Sequence, residues 1–370
     1  MEISKFLQSR IEEKDFPSAV YLVAEKGEII LHDALGFAVV EPEHIEAKLN
    51  TIYDLASLTK VLVTGLICAK LIEKSEISLT DKISKYLTQF DNDEKCEISI
   101  QNLLTHTSGF QAWKPFYLFA NFKSEILQLI ASQPLVNQLN TKVVYSDFNF
   151  LTLGFLIENI LGKTLVEIAK TEIFEPLKLK DTFFSPPKSL QKQIAASEKG
   201  NEFEKNTCLE AGYQIPNPQS QFRNRIIWGE VHDGNCYFMG GVSGHAGLFS
   251  TAKETFIIAQ QFLANQSTLL NAETCKLFRQ NFTPNLNEGR SIGFQLAETP
   301  ESTASLALSK DSFGHLGFTG TSLWIEPETE RIFILLTNRT HARKIPFENI
   351  NSTRRKFHEL ATEMLDKAQF

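Results

Sequence analysis

The sequence predicts an α+β fold in which both ends of the chain build one antiparallel sheet, flanked by terminal helices, around an inserted, mainly helical segment. Strand-like runs lie near the two termini, and turns rich in Gly, Pro and Asp separate helical patterns between about residues 57 and 180. The 370 residues are 42% hydrophobic, enough for a sizeable core. We expect a sheet lobe from residues 1–50 and 255–370, a helical lobe from residues 51–254, and a cleft between them.

The elements of the sheet lobe follow from periodicity and turn signals. Two β-rich runs surround a Lys26-Gly27 turn, and two more surround the polar segment 327–330, so we expect two hairpins. The last segment carries an apolar helical stripe behind a possible Ser352 cap. The polar run 185–206 predicts a surface excursion. An amphipathic first helix is indicated by apolar residues at helical spacing, namely Ile3, Phe6, Leu7 and Ile11.

Composition excludes several classes of protein. A net charge of -7 without a long basic run argues against a nucleic-acid partner. No stretch approaches ~18 uncharged apolar residues, so we expect no membrane span. The N-terminus lacks the basic start and apolar centre of a signal peptide, which predicts a cytoplasmic protein unless a leader was removed. The oligomeric state stays open. Free thiols in a reducing compartment are expected for the five cysteines, Cys68, Cys96, Cys208, Cys236 and Cys275.

The run "YDLASLTKVLVTGL", residues 53–66, is apolar enough for a buried helix yet carries Ser57 and Lys60. Residues three apart share a helix face, so both side chains project together from the first turn. A serine hydroxyl becomes a good nucleophile when a base takes its proton, and a lysine serves as that base when burial or a second cation lowers its pKa. We expect burial to lower the pKa of Lys60 in this way.

Two further segments fit the same chemistry. Tyr145-Ser146-Asp147 precedes a helix-like run, where Tyr145 could relay protons and Ser146 or Asp147 could cap the helix. The Gly-rich segment "GHLGFTGTSLW", residues 314–324, enters a strand whose edge could present N–H groups to an oxyanion. Its alternative interpretation is a loop before a core strand.

Together, "SLTK", "YSD" and "HLG" resemble the three motifs of the serine β-lactamase and penicillin-binding protein superfamily, in this order. The likeness is greatest to the class C β-lactamase branch, with its DD-peptidase, esterase and amidase relatives. "LLTHTSGF" (103–110) and "GGVSGHAGLFSTAKE" (240–254) also look like this branch, and the resemblance spans roughly residues 15–340. It implies a β-lactamase/transpeptidase-like fold.

The resemblance also implies roles for particular residues. Ser57 would be the acylated nucleophile, Lys60 its proton partner and Tyr145 the acid/base. The backbone N–H groups of Ser57 and Phe318 would form the oxyanion hole. The expected activity is hydrolysis of an amide or ester, such as a muropeptide or a small carboxylic ester, through a Ser57 acyl-enzyme. The partner is therefore a small-molecule or peptide-type substrate, and no cofactor is expected.

The sequence departs from the family pattern at two substrate-binding positions. Asp147 stands where the family usually has Asn, and His315 stands where the classical enzymes have Lys. Both changes make the cleft more negative, where a β-lactam would place its carboxylate. We therefore expect weak β-lactam turnover, with a DD-carboxypeptidase or β-lactamase proper as the alternative. A catalytically silent binding protein is a second alternative, disfavoured by the intact Ser57, Lys60 and Tyr145.

Other residues admit two interpretations. Trp113 packs in the core or forms an apolar wall of the cleft, and Gly317 lets the backbone approach a substrate. His245 is either buried on backbone hydrogen bonds or lines the pocket, while His106 is expected to tie a turn together. A Ser-His-Asp triad of the α/β-hydrolase type is disfavoured because no G-x-S-x-G elbow occurs. We expect no metal site, because none of the known zinc spacings occurs among His232, Asp233, Cys236, His245 and His315.

Overall fold

The computed structural model describes residues 2–215 and 222–367. The strands are β1 (Ser18–Glu25), β2 (Glu28–Val39), β3 (Ile45–Glu46), β4 (Tyr53–Asp54), β5 (Phe183–Phe184), β6 (Leu248–Ser250), β7 (Gln295–Leu296), β8 (Phe313–Leu316), β9 (Ser322–Glu326) and β10 (Arg331–Thr337). They form an antiparallel seven-stranded sheet in the order β3-β2-β1-β10-β9-β8-β7 and a small sheet in the order β4-β6-β5. Strands from the two ends of the chain therefore meet where β1 pairs with β10.

Helices cover both ends of the chain and fill its middle. They are α1 (Glu2–Glu12), α2 (Leu66–Glu73), α3 (Ile100–Leu104), α4 (Ile126–Ala131), α5 (Asp147–Leu161), α6 (Leu165–Ala169), α7 (Glu202–Glu210), α8 (Gly234–Phe238), α9 (Ala252–Ala259), α10 (Ala272–Lys276) and α11 (Asn351–Lys367). A π-helical segment, Lys60–Gly65, leads into α2, and a second one, Lys170–Phe174, follows α6. The predicted α+β class with a helical insertion is confirmed.

Strand β1 shows why the large sheet lies between two cores. Its Val20 and Leu22 belong to the main core shared with the helical middle of the chain. Tyr21 and Val23, on the opposite face, pack in a second core with side chains of α1 and α11. Successive side chains of a strand point to opposite faces, so a continuous apolar run is what a strand covered on both faces needs.

Most predicted elements of the sheet are confirmed. The hairpin β1-β2 turns at Lys26 and Gly27, whose φ angles of 51° and 83° match a primed two-residue turn. The hairpin β9-β10 and the amphipathic helix α1 are also present. The Ser352 cap is wrong, because α11 already begins at Asn351, whose N–H donates to the side chain of Asn349 at 3.0 Å.

The expected surface excursion 185–206 is wrong for its second half. Ala196, Glu198 and Glu204 are buried, although the sequence around them is polar. A buried polar group is tolerated when it has partners, and Glu198 accepts hydrogen bonds from the backbone of Phe203 and from His232. This part of the chain therefore forms a wall of the interior.

Two further expectations concern compartment and lobes. The five cysteines are free thiols, as expected. Among the helices within residues 2–215 and 222–367, none combines the length and the apolarity that a membrane crossing requires. The proposed boundaries of the two lobes stay a prediction.

Candidate active site

A cavity of about 350 Å³ brings together the turn after β4, the start of α5, helix α7 and the loop after β8. Five of the predicted site residues line it: Ser57, Trp113, Tyr145, Asp147 and Phe318. A larger, open groove of about 810 Å³ surrounds Trp228 and Tyr237 and contains none of the predicted site residues. The smaller cavity is therefore the candidate active site.

Ser57 follows a strained turn. Ala56, the residue before it, has a φ of 48°, which is uncommon for a residue with a side chain. Asp54 holds this turn, because its Oδ1 accepts the N–H of Ala56 at 2.9 Å and its Oδ2 accepts the N–H of His232 at 2.8 Å. The buried Asp54 carboxyl thus joins the turn that presents Ser57 to the segment around His232.

Lys60 lies fully buried beneath Ser57. Its Nζ donates to Ser57 Oγ at 2.9 Å and to the backbone oxygen of His245 at 3.2 Å. It also forms an ion pair with Asp147 Oδ1 at 2.8 Å. One turn of helix thus brings Ser57 and Lys60 into direct contact, while α5 supplies the counter-charge.

The expected lowering of the Lys60 pKa is wrong. Burial lowers the pKa of Lys60, but the negative charge of Asp147 and the interaction with Tyr145 outweigh it, so the pKa lies above its usual value. Lys60 is consequently an ammonium ion at neutral pH. A buried cation of this kind is stabilised by its partner carboxylate, and sequence spacing alone did not reveal that pair.

Tyr145 lies beside this ion pair and next to His106. His106 Nδ1 accepts the N–H of Ser146 at 3.1 Å, so His106 ties this turn as expected. The ring of Tyr145 lies 4.7 Å from the His106 ring and 5.0 Å from Lys60 Nζ, measured to its centroid. Ser146 is the N-cap residue of α5 by position, but its hydroxyl donates to Gln111 O at 2.6 Å instead of capping the helix.

The backbone N–H groups of Ser57 and Phe318, two residues that line the cavity, have no acceptor among the described residues. The loop that carries Phe318 is fastened to the turn before Ser57, because Thr319 Oγ1 donates to Asp54 O at 2.7 Å and Thr321 Oγ1 donates to Leu55 O at 3.0 Å. Unpaired amides on a fixed frame are what stabilisation of an oxyanion requires.

Three predicted substrate-binding residues lie behind the cavity lining. His245 is buried, and its ring contacts Asp233 Oδ1 at 3.0 Å and Ser243 Oγ at 2.8 Å. Gly317 donates its N–H to Thr321 O at 2.8 Å, and a Cβ at this position would clash with the Thr321 side chain and with Leu55 O. His315 is considered with its neighbours below. These residues support the site from outside the space that a substrate would fill.

The opposite side of the cavity was not identified from the sequence. It is lined by Phe203, Glu204, Thr207, His232 and Asp233. Glu204 Oε2 accepts the Tyr117 hydroxyl at 2.9 Å, and Glu204 Oε1 accepts the N–H of Gly234 at 2.8 Å. Burial and the nearby Asp233 raise the pKa of Glu204 to about 7. No signal in the sequence pointed to Glu204.

Asp147, Asp233 and His245 place ligand atoms within 4.8 Å of one another, which is close enough for a metal ion. However, the Lys60 ammonium already pairs with Asp147, and the two ring nitrogens of His245 contact Asp233 and Ser243. The Lys60 ammonium therefore already supplies a positive charge to this cluster of ligand atoms. The expectation of no metal stays a prediction.

Comparison with known proteins identifies the family. Over residues 3–352 the sequence matches the family profile described as Beta-lactamase. The chain belongs to the β-lactamase family. A relative from Escherichia coli (strain K12), named "Putative D-alanyl-D-alanine carboxypeptidase", is 32% identical over 355 residues, which covers 88% of this chain and 79% of the relative. The family and the chain's neighbours are serine hydrolases.

Two solved structures show the same fold. EstCE1, a hydrolase with promiscuous acyltransferase activity, has a TM-score of 0.74 at 19% identity and covers 96% of this chain and 97% of its own. A class C β-lactamase from Rhodobacter sphaeroides has a TM-score of 0.72 at 17% identity. The likeness covers 98% of this chain and 99% of the β-lactamase chain. At these identities the likeness establishes the fold, and the predicted β-lactamase/transpeptidase-like architecture is confirmed.

Proposed function

We propose that the chain hydrolyses an amide or ester through an acyl-enzyme on Ser57. One observation carries this proposal: the Lys60 ammonium donates to Ser57 Oγ at 2.9 Å, beside a cavity that Ser57 and Phe318 line. Because Lys60 is the donor in this contact, the hydrogen of Ser57 Oγ is free to point to another acceptor. Tyr145, which lines the same cavity, supplies that acceptor.

The reaction then follows from these positions. Ser57 Oγ attacks the carbonyl carbon, and its proton passes to the phenolate of Tyr145. The backbone N–H groups of Ser57 and Phe318 stabilise the negative charge that develops on the carbonyl oxygen. Tyr145 returns the proton to the departing amine or alcohol, which leaves an ester on Ser57. Water attacks this ester, loses its proton to Tyr145, and releases the acid as Ser57 recovers its hydrogen.

The nucleophile is tested by covalent labelling. The protein is treated with a fluorophosphonate, its intact mass is measured, and the adduct is mapped by peptide digestion. We expect one adduct on Ser57, no adduct in Ser57→Ala, and unchanged labelling in Ser132→Ala, which alters an exposed serine. Label on another residue, or Ser57-independent turnover of p-nitrophenyl acetate, would contradict the proposal and favour a binding protein that lacks catalysis.

The charge of the cavity favours substrates without a carboxylate near the reacting carbonyl. Asp147, Glu204 and Asp233 line it, while no lysine or arginine does so among the described residues. A β-lactam needs a cation for its carboxylate, so we propose weak β-lactam turnover and a small ester or a muropeptide as substrate. The relative's name favours a D-alanyl-D-alanine carboxypeptidase as the second candidate.

Parallel assays separate these substrates. We expect Ser57-dependent turnover of p-nitrophenyl acetate or of a muramoyl peptide, with nitrocefin turned over far more slowly. Nitrocefin turnover comparable to that of a dedicated β-lactamase would overturn the substrate proposal and leave the Ser57 proposal intact.

We also propose a cytoplasmic location, since the cysteines are free and a reducing compartment keeps thiols in that state. Fractionation of cells that express the untagged gene tests it. Recovery in the soluble fraction after gentle release of the periplasm supports the proposal, and recovery in the periplasmic fraction contradicts it.

A further inference from the structure

The ring of Tyr145 lies near two buried cations. Lys60 Nζ is 5.0 Å from its centroid, and the guanidinium carbon of Arg290 is 5.6 Å from it. Arg290 is only 4% exposed, and it does not line the cavity. No motif in the sequence pointed to Arg290, and its charge has no part in the reaction described so far.

Arg290 is fixed in this position just before β7. Its Nε and Nη2 contact Glu288 Oε2 at 2.8 Å and 2.6 Å, and its backbone N–H donates to Thr283 Oγ1 at 2.8 Å. Glu288 is 26% exposed, so water screens its charge more than that of the nearly buried guanidinium. The arginine therefore keeps a positive field at the ring of Tyr145.

The two histidines beside Tyr145 do not supply this charge. Burial, together with Lys60 and Arg290, holds the pKa of His315 well below its usual value, and burial with Arg290 and Lys60 does the same for His106. His315 lies 5.7 Å from the ring of Tyr145, measured between centroids. Both imidazoles are neutral. His315, which stands where the classical enzymes have Lys, therefore supplies no cation at that position.

We propose that Arg290 is a positioning residue that supplies, across the ring of Tyr145, the positive charge that His315 does not provide. The inference rests on the proposed function, in which Tyr145 acts as a phenolate. A cation near the ring stabilises the phenolate more than the neutral phenol, because the ring gains a full negative charge on ionisation. The other charged or titratable groups around Tyr145 are Lys60, Asp147, Glu288, His106 and His315, with Glu204, His232 and Asp233 across the cavity.

Two substitutions of opposite sign test the proposal through the pH profile of kcat/KM for p-nitrophenyl acetate. Arg290→Gln removes the cation, so the acid limb should move to higher pH by about one unit. Glu288→Gln removes the anion that partly neutralises Arg290, so the limb should move to lower pH by about half a unit. Arg290→Lys keeps the charge and should restore most of the wild-type profile.

An electrostatic role predicts that the acid limb moves in opposite directions in Arg290→Gln and Glu288→Gln. A purely structural role predicts a lower rate from lost packing, without opposite shifts of the acid limb. An unmoved limb in Arg290→Gln, or equal shifts of both variants in one direction, would overturn the proposal. If Arg290→Gln does not fold, Glu288→Gln and Arg290→Lys still decide it. Failure of the proposed function is seen separately, as turnover that persists in Ser57→Ala.

Discussion

The two sides of the cavity differ in how their charges are balanced. The motif wall, formed by Ser57, Tyr145 and Asp147 above Lys60, pairs its cation and its carboxylate directly at 2.8 Å. The acidic wall, formed by Glu204, His232 and Asp233, places two carboxyls near each other, and the pKa of Glu204 rises to about 7 through burial and the charge of Asp233. The charges of the motif wall are therefore paired within it, whereas the charge of Glu204 on the acidic wall changes with pH near neutrality.

Asp233 keeps its charge for a reason that Glu204 lacks. Burial raises the pKa of Asp233, but His245 outweighs it by charge and by a hydrogen bond, so the pKa is lowered overall. Among the described residues, Glu204 forms side-chain hydrogen bonds with the neutral Tyr117 hydroxyl and Gly234 amide, and the charge of His232 lowers its pKa less than burial and Asp233 raise it. Of the two carboxyls of the acidic wall, Glu204 is therefore the one whose charge changes near neutral pH.

The largest expected effect comes from removing the cation of the motif wall. Lys60→Met should lower kcat/KM by about 10³-fold or more, because the hydrogen bond to Ser57 Oγ and the charge beside Tyr145 are both lost. It should also destabilise the fold by about 2 kcal/mol, because Asp147 loses its counter-charge. Steady-state kinetics and urea unfolding measure the two effects.

A double variant separates stability from catalysis. Lys60→Met combined with Asp147→Asn removes both charges, so it should regain most of the stability and none of the turnover. Recovery of turnover in the double variant would show that Lys60 merely neutralises Asp147, and that the motif wall has no catalytic cation.

The acidic wall should appear in the pH dependence of stability. The folded-state pKa of Glu204 is raised from 4.5 to about 7, so the folded protein binds this proton more tightly than the unfolded chain. The contribution is therefore present below pH 4.5 and lost as the pH rises to about 7. Glu204→Gln should match the wild type in urea unfolding at pH 5 and exceed it by about 2 kcal/mol at pH 8.

Glu202→Gln is the matched control, because Glu202 lies on the same helix but is exposed. Its difference from the wild type should be the same at both pH values. A Glu204→Gln difference that is likewise independent of pH would mean that Glu204 is ionised throughout, and the contrast between the two walls would then disappear.

The sequence predicted the motif wall better than the acidic wall because its contact between Ser57 and Lys60 is local and because its motifs resemble those of a known family. Ser57 and Lys60 are three residues apart on a helical turn, and the hairpin at Lys26-Gly27 is likewise set by neighbouring residues. The acidic wall depends on contacts between distant residues, such as the 2.9 Å bond between Tyr117 and Glu204. A polar sequence does not show which of its carboxyls will find buried partners.

Contacts between distant residues also explain why the expected lowering of the Lys60 pKa was wrong. Burial was evident from the apolar run around it, but the contact with Asp147 joins two segments that are far apart in the chain. Arg290 was missed for the same reason, since its contact with the ring of Tyr145 also joins two segments that are far apart in the chain. Spacing within a motif predicts which side chains share a turn, whereas a pKa depends on every charge nearby.

A smaller effect is expected from changing the carboxylate of the motif wall alone. Asp147→Asn removes a negative charge next to Lys60 and Tyr145, and loss of a negative charge makes both easier to deprotonate. The acid limb of kcat/KM should therefore move to lower pH by about one unit, which raises the rate on that limb about tenfold. Asp93→Asn, an exposed change, should leave the profile unmoved. A shift to higher pH would show that Asp147 itself accepts the proton.

The smallest expected effect concerns Trp113, which lines the cavity with Phe203 and Phe318 and belongs to neither wall. Trp113→Ala removes apolar surface that a bound acyl group would cover, so it should raise KM several-fold and leave kcat nearly unchanged. Phe119→Ala, an exposed aromatic residue of the same loop, is the control and should change neither constant. Because Phe116 and Tyr117 of this loop are buried and Trp113 lines the cavity, we propose Trp113 as the aromatic residue of the loop that contacts substrate. An unchanged KM for every active substrate would mean that the two walls alone define binding, whereas a fall in kcat would mean that Trp113 also holds the motif wall in place.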